Sequence, residues 1–314
     1  MGLTIGVDVG GTKVAAGVVD DDGRILRDVR HPMPASDSAG AVAAIVRAVE
    51  DLRAEHEVEA IWIGAAGFID VNRSMVLFAP NIAWRDEDIG ADIAARVSVP
   101  VVVENDANAA AWAEWRYGAG RGETHLVLVT VGTGIGGGIV VDGKLYRGRF
   151  GVGAEVGHVL LVDGGRPCGC GQYGCWEQYA SGKALLYEAR LLAEADPEGS
   201  AVLRGMGDGT PAGIGGRHVT EAARQGDRVA LTAFRTVGQA LGTGLASLAA
   251  VLDPGVFVIG GGVSDAGELL LDPAREAYSR RLTGGGYRPH AAIRQAALGN
   301  DAGIVGAADL ARTA

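Results

Sequence analysis

The stretch Leu3-Thr4-Ile5-Gly6-Val7-Asp8-Val9-Gly10-Gly11-Thr12-Lys13-Val14 decides how the rest of the chain is read. Leu3 to Val9 reads as a buried strand, Gly10-Gly11-Thr12 as a turn, and Val14 to Asp20 as a returning strand that runs into the turn Asp21-Asp22-Gly23. The pattern recurs: Leu126 to Val131 reads as a strand, Gly132-Thr133-Gly134 as a turn, and Gly138 to Val141 as a strand ending at Asp142-Gly143. Two glycine-cornered hairpins so far apart predict an internal quasi-repeat, each half offering a glycine-rich corner to a shared cleft.

Working outward, Ala41, Ala44, Ile45, Ala48, Val49 and Leu52 fall at helical spacing and predict a helix over about Ser38–Glu55, with Ser36, Asp37 and Ser38 as candidate caps. A strand over Ala60–Ala65, a short amphipathic helix near Asp86–Val97, a strand over Val99–Val103 and a helix from Asp106 follow. Later come a helix over about Val229–Leu252, the apolar strand Val256–Ile259 and the glycine run Gly260-Gly261-Gly262. The stretch 196–217 is rich in Gly, Asp and Pro and reads as a loop or lid, and about Asp301–Ala311 reads as a helix that packs back on the first domain. Alternating strands and helices predict an α/β layer structure with a mixed sheet.

The 314 residues suffice for two domains, and the 51 glycines far exceed the usual share of about 7%, which points to tight turns and close backbone approaches. A net charge of −10 disfavours nucleic acid and anionic lipid. No secretory signal precedes Leu3, and no apolar run is long enough to span a membrane. The three cysteines all lie between Cys168 and Cys175, too few and too close for a disulfide framework, so a reducing cytoplasm is the expected location.

Gly132-Thr133-Gly134-Ile135-Gly136-Gly137 matches GxGxxG, but β-branched residues and an Asp-Gly turn follow where a dinucleotide site needs a helix. The corners Gly10-Gly11-Thr12 and Gly132-Thr133-Gly134 instead suit backbone N–H groups approaching phosphate oxygens, with Thr12 and Thr133 adding hydroxyls. Asp8 ends the first strand, where a carboxylate can hold a phosphate-bound Mg²⁺, and Lys13 can add a cation or simply be solvated. Asp106 falls where a strand ends and a helix begins, so it is either a helix cap or a general base for a hydroxyl, with Asn105 beside it to fix that hydroxyl. His158 with Cys168, Cys170 and Cys175 supplies a Cys₃His zinc set, which with four protein ligands is closed and structural. Glu155 and Glu177 flank it and can accept hydrogen bonds from a polyhydroxyl ligand, or be plain surface residues.

Taken together, Asp8-x-Gly10-Gly11-Thr12-Lys13, Glu104-Asn105-Asp106-Ala107-Asn108, Gly132-Thr133-Gly134, Glu155-x-x-His158 and Cys168-x-Cys170-Gly-x-x-Gly-Cys175-x-Glu177 resemble the ROK family of sugar kinases and repressors, most of all its bacterial glucokinases. The resemblance covers essentially the whole chain in order. It implies a duplicated actin-like ATPase (ribonuclease H-like) α/β fold, with two domains around a central cleft and ATP-dependent phosphorylation of D-glucose to glucose 6-phosphate. The domains are expected to be 1–108 with 299–314, and 109–298 carrying the zinc loop. By the resemblance, Asp106 is the general base, and Gly67, Asn81, Asn105, Asp106, Glu155, His158 and Glu177 bind the sugar, His158 serving zinc and sugar through different ring nitrogens. Asp8, Gly10, Gly11, Thr12, Lys13, Gly132, Thr133 and Gly134 hold the phosphates of ATP with Mg²⁺, and Gly261 and Gly262 form the nucleotide-side loop. The resemblance also implies a homo-oligomer, a dimer or tetramer. Its alternatives are a kinase of another hexose or N-acetylhexosamine, or a non-catalytic sugar sensor; sensors of the family add an N-terminal helix-turn-helix, for which a strand starting near Leu3 leaves no room.

Overall fold

A computed structural model describes residues 2–312; Met1, Thr313 and Ala314, which the expected smaller domain includes, lie outside the described residues. The first half runs β1 (Thr4–Val9), β2 (Lys13–Val19), β3 (Ile25–Pro32), α1 (Ser38–Arg53), β4 (Ala60–Ala65), β5 (Phe68–Ile69), β6 (Val76–Phe78), β7 (Arg85–Glu87), α2 (Ile89–Val97), β8 (Val101–Asn105) and α3 (Asp106–Arg116). The second runs β9 (Leu126–Val131), β10 (Ile135–Val141), β11 (Lys144–Tyr146), α4 (Glu177–Ala180), α5 (Gly182–Ala195), α6 (Ala201–Gly205), α7 (Gly216–Arg224), α8 (Arg228–Leu252), β12 (Val256–Gly260), α9 (Glu268–Arg281), β13 (Ala292–Gln295) and α10 (Ala302–Leu310).

Two five-stranded sheets have the orders β3-β2-β1-β4-β8 and β11-β10-β9-β12-β13. Matched position by position, β1 to β3 correspond to β9 to β11, β4 to β12 and β8 to β13. The hairpin repeat therefore extends to whole sheets. Antiparallel pairing joins β1 to β2 and β2 to β3, and parallel pairing joins β1 to β4 and β4 to β8, so the first sheet is mixed. The strands β5, β6 and β7 form a small sheet of their own.

The chain divides into two compact units, one of Met1–Leu128, Gly137–Ala154 and Ala297–Ala314, the other of Val129–Gly136 and Glu155–Ala296. In the first, α1 buries Ala41, Ala44, Ile45, Ala48, Val49 and Leu52 in one core with Ile5, Val7, Ile61 and Ile63. Its N-cap is Asp37, whose side chain makes no capping bond. The helix expected from Asp86 begins instead at Ile89: residues 85–87 pair with β6, and the Asp88 carboxylate caps by accepting from Ala91 N. Residues 109–128, which the sequence reading assigns to the larger domain, fall in this unit because α3 is fastened to the C-terminal segment. Trp112 Nε1 donates to Asp309 at 2.7 Å, and the buried Glu114 accepts from the N–H groups of Ala297 and Leu298.

In the second unit the long helix α8 begins at the capping Asp227 and buries Phe234, Leu241 and Leu245. The expected loop over 196–217 is corrected here: it contains α6, and Leu203 and Ile214 are fully buried. Composition hid this because Ile214 stands between glycines and Leu203 ends only the short run Ala201-Val202-Leu203, and the fastenings are polar: Leu203 N donates to Asp227, and Arg190 donates to the Ile214 carbonyl. No helix among the described residues is long and apolar enough to cross a membrane.

Candidate active site and metal centre

In the first unit the parallel strands β1, β4 and β8 are in register at Asp8–Gly64 and at Ala65–Asn105. Their carboxyl ends therefore bring Asp8, Asn105 and Asp106 to one edge of the sheet, where open α/β sheets take their ligands. The cap-or-base alternative at Asp106 resolves in favour of Asn105 as the cap. Asn105 Oδ1 accepts from Ala107 N at 2.9 Å and Asn108 N at 3.1 Å, while its Nδ2 donates to the Gly67 carbonyl at 3.2 Å. That leaves Asn105 a single side-chain N–H to offer a ligand. Gly67 is held close as well, since a Cβ there would collide with the Phe78 carbonyl and stand 3.1 Å from Ala79 Cα.

With the cap supplied, the Asp106 carboxyl is left for other work. Burial raises its pKa, against the opposing pull of the Ala107 and Asp106 N–H groups. Asp8 is pushed up to about 6, first by burial and then by the Asp106 charge, with Lys13 pulling the other way. A carboxylate in that condition lacks a full countercharge, and an oxygen-seeking divalent cation is the partner that would supply it.

The first corner closes through Gly10 N donating to the Lys13 carbonyl at 3.1 Å, and Thr12 O accepts from Met33 N. A Cβ on Gly11 would lie 3.5 Å from Asn81 Cβ, so the corner and Asn81, an expected sugar contact, adjoin. Thr12, Lys13 and Asn81 are exposed.

The sequence motif by itself assigns no role to Glu104. It is fully buried and ion-paired to Arg73 Nε at 3.1 Å and Arg147 Nε at 2.9 Å, and it accepts from Asn105 N and Asn108 Nδ2. A charge at the inward end of an otherwise apolar strand was the signal available in the sequence.

In the second unit His158, Cys168, Cys170 and Cys175 each offer a ligand atom, all within 4.8 Å of one another. Cys168 Sγ lies 3.6 Å from His158 Nδ1, and Cys170 Sγ lies 3.6 Å from Cys175 Sγ. A tetrahedral zinc with Zn–S near 2.3 Å needs ligand atoms about 3.8 Å apart, so the set fits the ion. Burial pushes the metal-free Cys168 thiol up to about 12, and the hydrogen bond it donates to Glu177 Oε1 at 3.1 Å acts in the same direction. Directly after Cys175, Trp176 anchors the loop: its Nε1 donates to the Ala240 carbonyl on α8, and its ring fills the space that a side chain at Gly244 would need.

Glu177 Oε2 occupies the place of a Cβ on Gly134, so the second corner also adjoins a residue expected to bind the sugar. That corner closes through Gly132 N donating to the Gly134 carbonyl at 3.0 Å. Gly261 adopts φ +81 and packs on Val131, with the Val131 carbonyl 2.6 Å from where a Cβ would be, which brings the third glycine run to the second corner. Gly262 is exposed. Glu155 precedes a short 3₁₀ turn, its carbonyl accepting from His158 N at 3.1 Å, so the two expected sugar contacts share one turn.

Residues 4–314 match the profile of the ROK family. The chain is 55% identical over 312 residues to a Streptomyces coelicolor glucokinase, covering 99% of this chain and 98% of that protein. It is 38% identical over 311 residues to a Thermotoga maritima glucokinase, covering 98% and 96%. Among solved structures it is similar to a ROK family glucokinase from Streptomyces griseus in complex with glucose and AMPPNP, with 56% identity, full coverage of both chains and a TM-score of 0.91.

Proposed function

The chain belongs to the ROK family, and from that membership we propose the division of labour by which its residues phosphorylate glucose. The activity itself is ATP-dependent conversion of D-glucose to glucose 6-phosphate, the reaction of its full-length glucokinase relatives. In our reading the observation that carries the site is the pairing of Asn105 and Asp106. The cap is supplied by one residue, so the other is left at the ligand edge of the sheet with a raised carboxyl pKa.

Asp106 receives the proton of the glucose 6-hydroxyl as that oxygen bonds to the γ-phosphorus of ATP. The bond from phosphorus to the β–γ bridging oxygen breaks, and ADP leaves with the electron pair. Asn81, Asn105, Glu155, His158 and Glu177 bind the sugar hydroxyls, with Gly67 lining the site. Gly10, Gly11, Thr12 and Lys13 with Gly132, Thr133 and Gly134 hold phosphate oxygens, and Gly261 and Gly262 serve the nucleotide side. Phosphoryl transfer asks mainly for alignment and charge neutralisation, which such a set supplies. Mg²⁺ carried in with ATP would sit by Asp8 and neutralise phosphate charge.

His158, Cys168, Cys170 and Cys175 would hold zinc as a closed, structural set. With Nδ1 of His158 turned to the cysteines, Nε2 is the nitrogen left for the sugar. Three free cysteines gathered in a metal set support a cytoplasmic home, and the family resemblance supports a dimer or tetramer. The deciding experiment is glucose-dependent ADP formation from Mg-ATP by the purified protein, with a panel of other hexoses and N-acetylhexosamines beside it. We expect saturable turnover with glucose foremost; turnover with another sugar alone would overturn the substrate, and silence with all of them would favour a sensor.

A further inference from the structure

We infer that the C-terminal helix α10 is the template that sets the spacing between Asp8 and Asp106, and that Gly303 is the positioning residue through which it does so. The inference rests on the roles proposed above for those two carboxylates, which reach the sheet edge on different elements, β1 and α3. Nothing in the strand register alone fixes a side chain on β1 relative to a helix that follows β8.

The helix α10 touches both elements at backbone distance. On the β1 side, a Cβ on Gly6 would collide with the Ile304 carbonyl and stand 2.8 Å from Ala308 N, and Thr4 Oγ1 donates to the Ala308 carbonyl at 2.8 Å. On the α3 side, a Cβ on Gly306 would collide with the Ala109 carbonyl, and Trp112 donates to Asp309. Glu114 secures the approach to the helix by accepting from Ala297 N and Leu298 N. Such packing, backbone against backbone with no flexible side chain between, leaves little room for either element to slide.

At the N-terminal turn of α10 this frame meets the chemistry. A Cβ on Gly303 would stand 3.0 Å from Asp8 Cγ and 3.3 Å from its Cβ and Oδ1, so the Asp8 carboxyl rests directly on this glycine. On the opposite side Gly64 lets the Asp106 backbone approach, its own Cβ position lying 3.6 Å from Asp106 Cα and 3.5 Å from the Val7 carbonyl. The charges felt by Asp8 are those of Asp106 on α3 and Lys13 at the start of β2. Its strand neighbours in register, Ala15 and Gly64, carry none, and α10 faces it with Gly303.

The test is Gly303→Ala. Alanine is the better helix former and Gly303 does not adopt a positive φ, so the variant is expected to fold, which circular dichroism and a thermal melt check before the readouts are taken. Its methyl displaces the Asp8 carboxyl by a few tenths of an ångström. The first readout needs no activity: a crystal structure of the variant should show the Asp8 carboxyl moved relative to Asp106 by that amount, with α10 keeping its place against β1 and α3. The second is kinetic, and kcat should fall about 10-fold while KM for glucose stays within about twofold, since misplacement acts on the reacting geometry. An Asp8 carboxyl that superimposes on the parent's overturns the inference whatever the turnover, and so does a displaced carboxyl with undiminished kcat. A parent protein that turns over no glucose overturns the functional reading instead, and the variant's structure still decides whether α10 sets the spacing.

Discussion

The thiol of Cys168 donates a hydrogen bond to Glu177 Oε1 at 3.1 Å while its sulfur lies 3.6 Å from His158 Nδ1. One cysteine thus joins the metal set to a carboxylate of the expected sugar set. A metal-bound thiolate has no hydrogen to give, so loading the site would release Glu177 Oε1 for other donors. The other Glu177 oxygen lies against Gly134. The metal set, Glu177 and the second glycine corner are therefore one piece of structure within their unit.

From this coupling, metal and sugar affinity should fall together. We expect elemental analysis to find one zinc per chain, and Cys170→Ser to lose it together with most of its glucose affinity by calorimetry, because Glu155, His158 and Glu177 lose their frame. A zinc-free Cys170→Ser protein that binds glucose as the parent does would contradict the coupling.

For Asp106→Asn, kcat should fall by at least about 10²-fold, the usual share of a general base, with glucose binding retained. The helix start survives the change because Asn105 supplies the cap. Steady-state kinetics beside calorimetry separates the two effects, and near-normal turnover would remove Asp106 from the role.

The two raised carboxyls fix the direction of pH dependence. In the role proposed for it Asp106 works only when ionised, so kcat/KM should fall on acidification, and protonation of Asp8 near pH 6 should add to that fall. For stability the sign is opposite. A folded-state pKa raised from 3.8 to about 6 means that the folded form holds its proton more tightly than the unfolded form, so the stability Asp8 contributes is present below about pH 4 and is lost as pH rises through about 6. Asp8→Asn should therefore raise Tm at pH 7 by a few degrees while abolishing turnover, as a thermal melt and an ADP assay would show.

Glu104→Gln should lower stability by about 3 kcal/mol, since it leaves Arg73 and Arg147 facing a neutral amide in a buried place. Denaturant unfolding measures this directly. A loss as small as that of an exposed ion pair, below about 1 kcal/mol, would show that the three groups do not act as a buried network.

Much of the fold was legible because strands and helices announce themselves by short-range periodicity. Leu126–Val131 is a strand over the residues expected, and the hairpin after Asp8 turns where its glycines said it would. The cysteine cluster was legible for the same reason, its ligands lying close in sequence. The segment over 196–217 reads as a loop because Ile214 stands between glycines and Leu203 only ends the short run Ala201-Val202-Leu203, too little to mark either as core.

What the sequence determined by itself was the alternation of elements, the duplicated glycine corners and the inventory of carboxylates, thiols and imidazole, all properties of neighbouring residues. Which of Asn105 and Asp106 caps the helix, why Glu104 is charged, and why Gly303 has no side chain were decided only by tertiary structure. Each depends on a partner far along the chain: Gly67 for Asn105, Arg147 for Glu104, Asp8 for Gly303. Local propensity carries no information about contacts at that separation; packing in three dimensions brings the partners together and gives each residue its role.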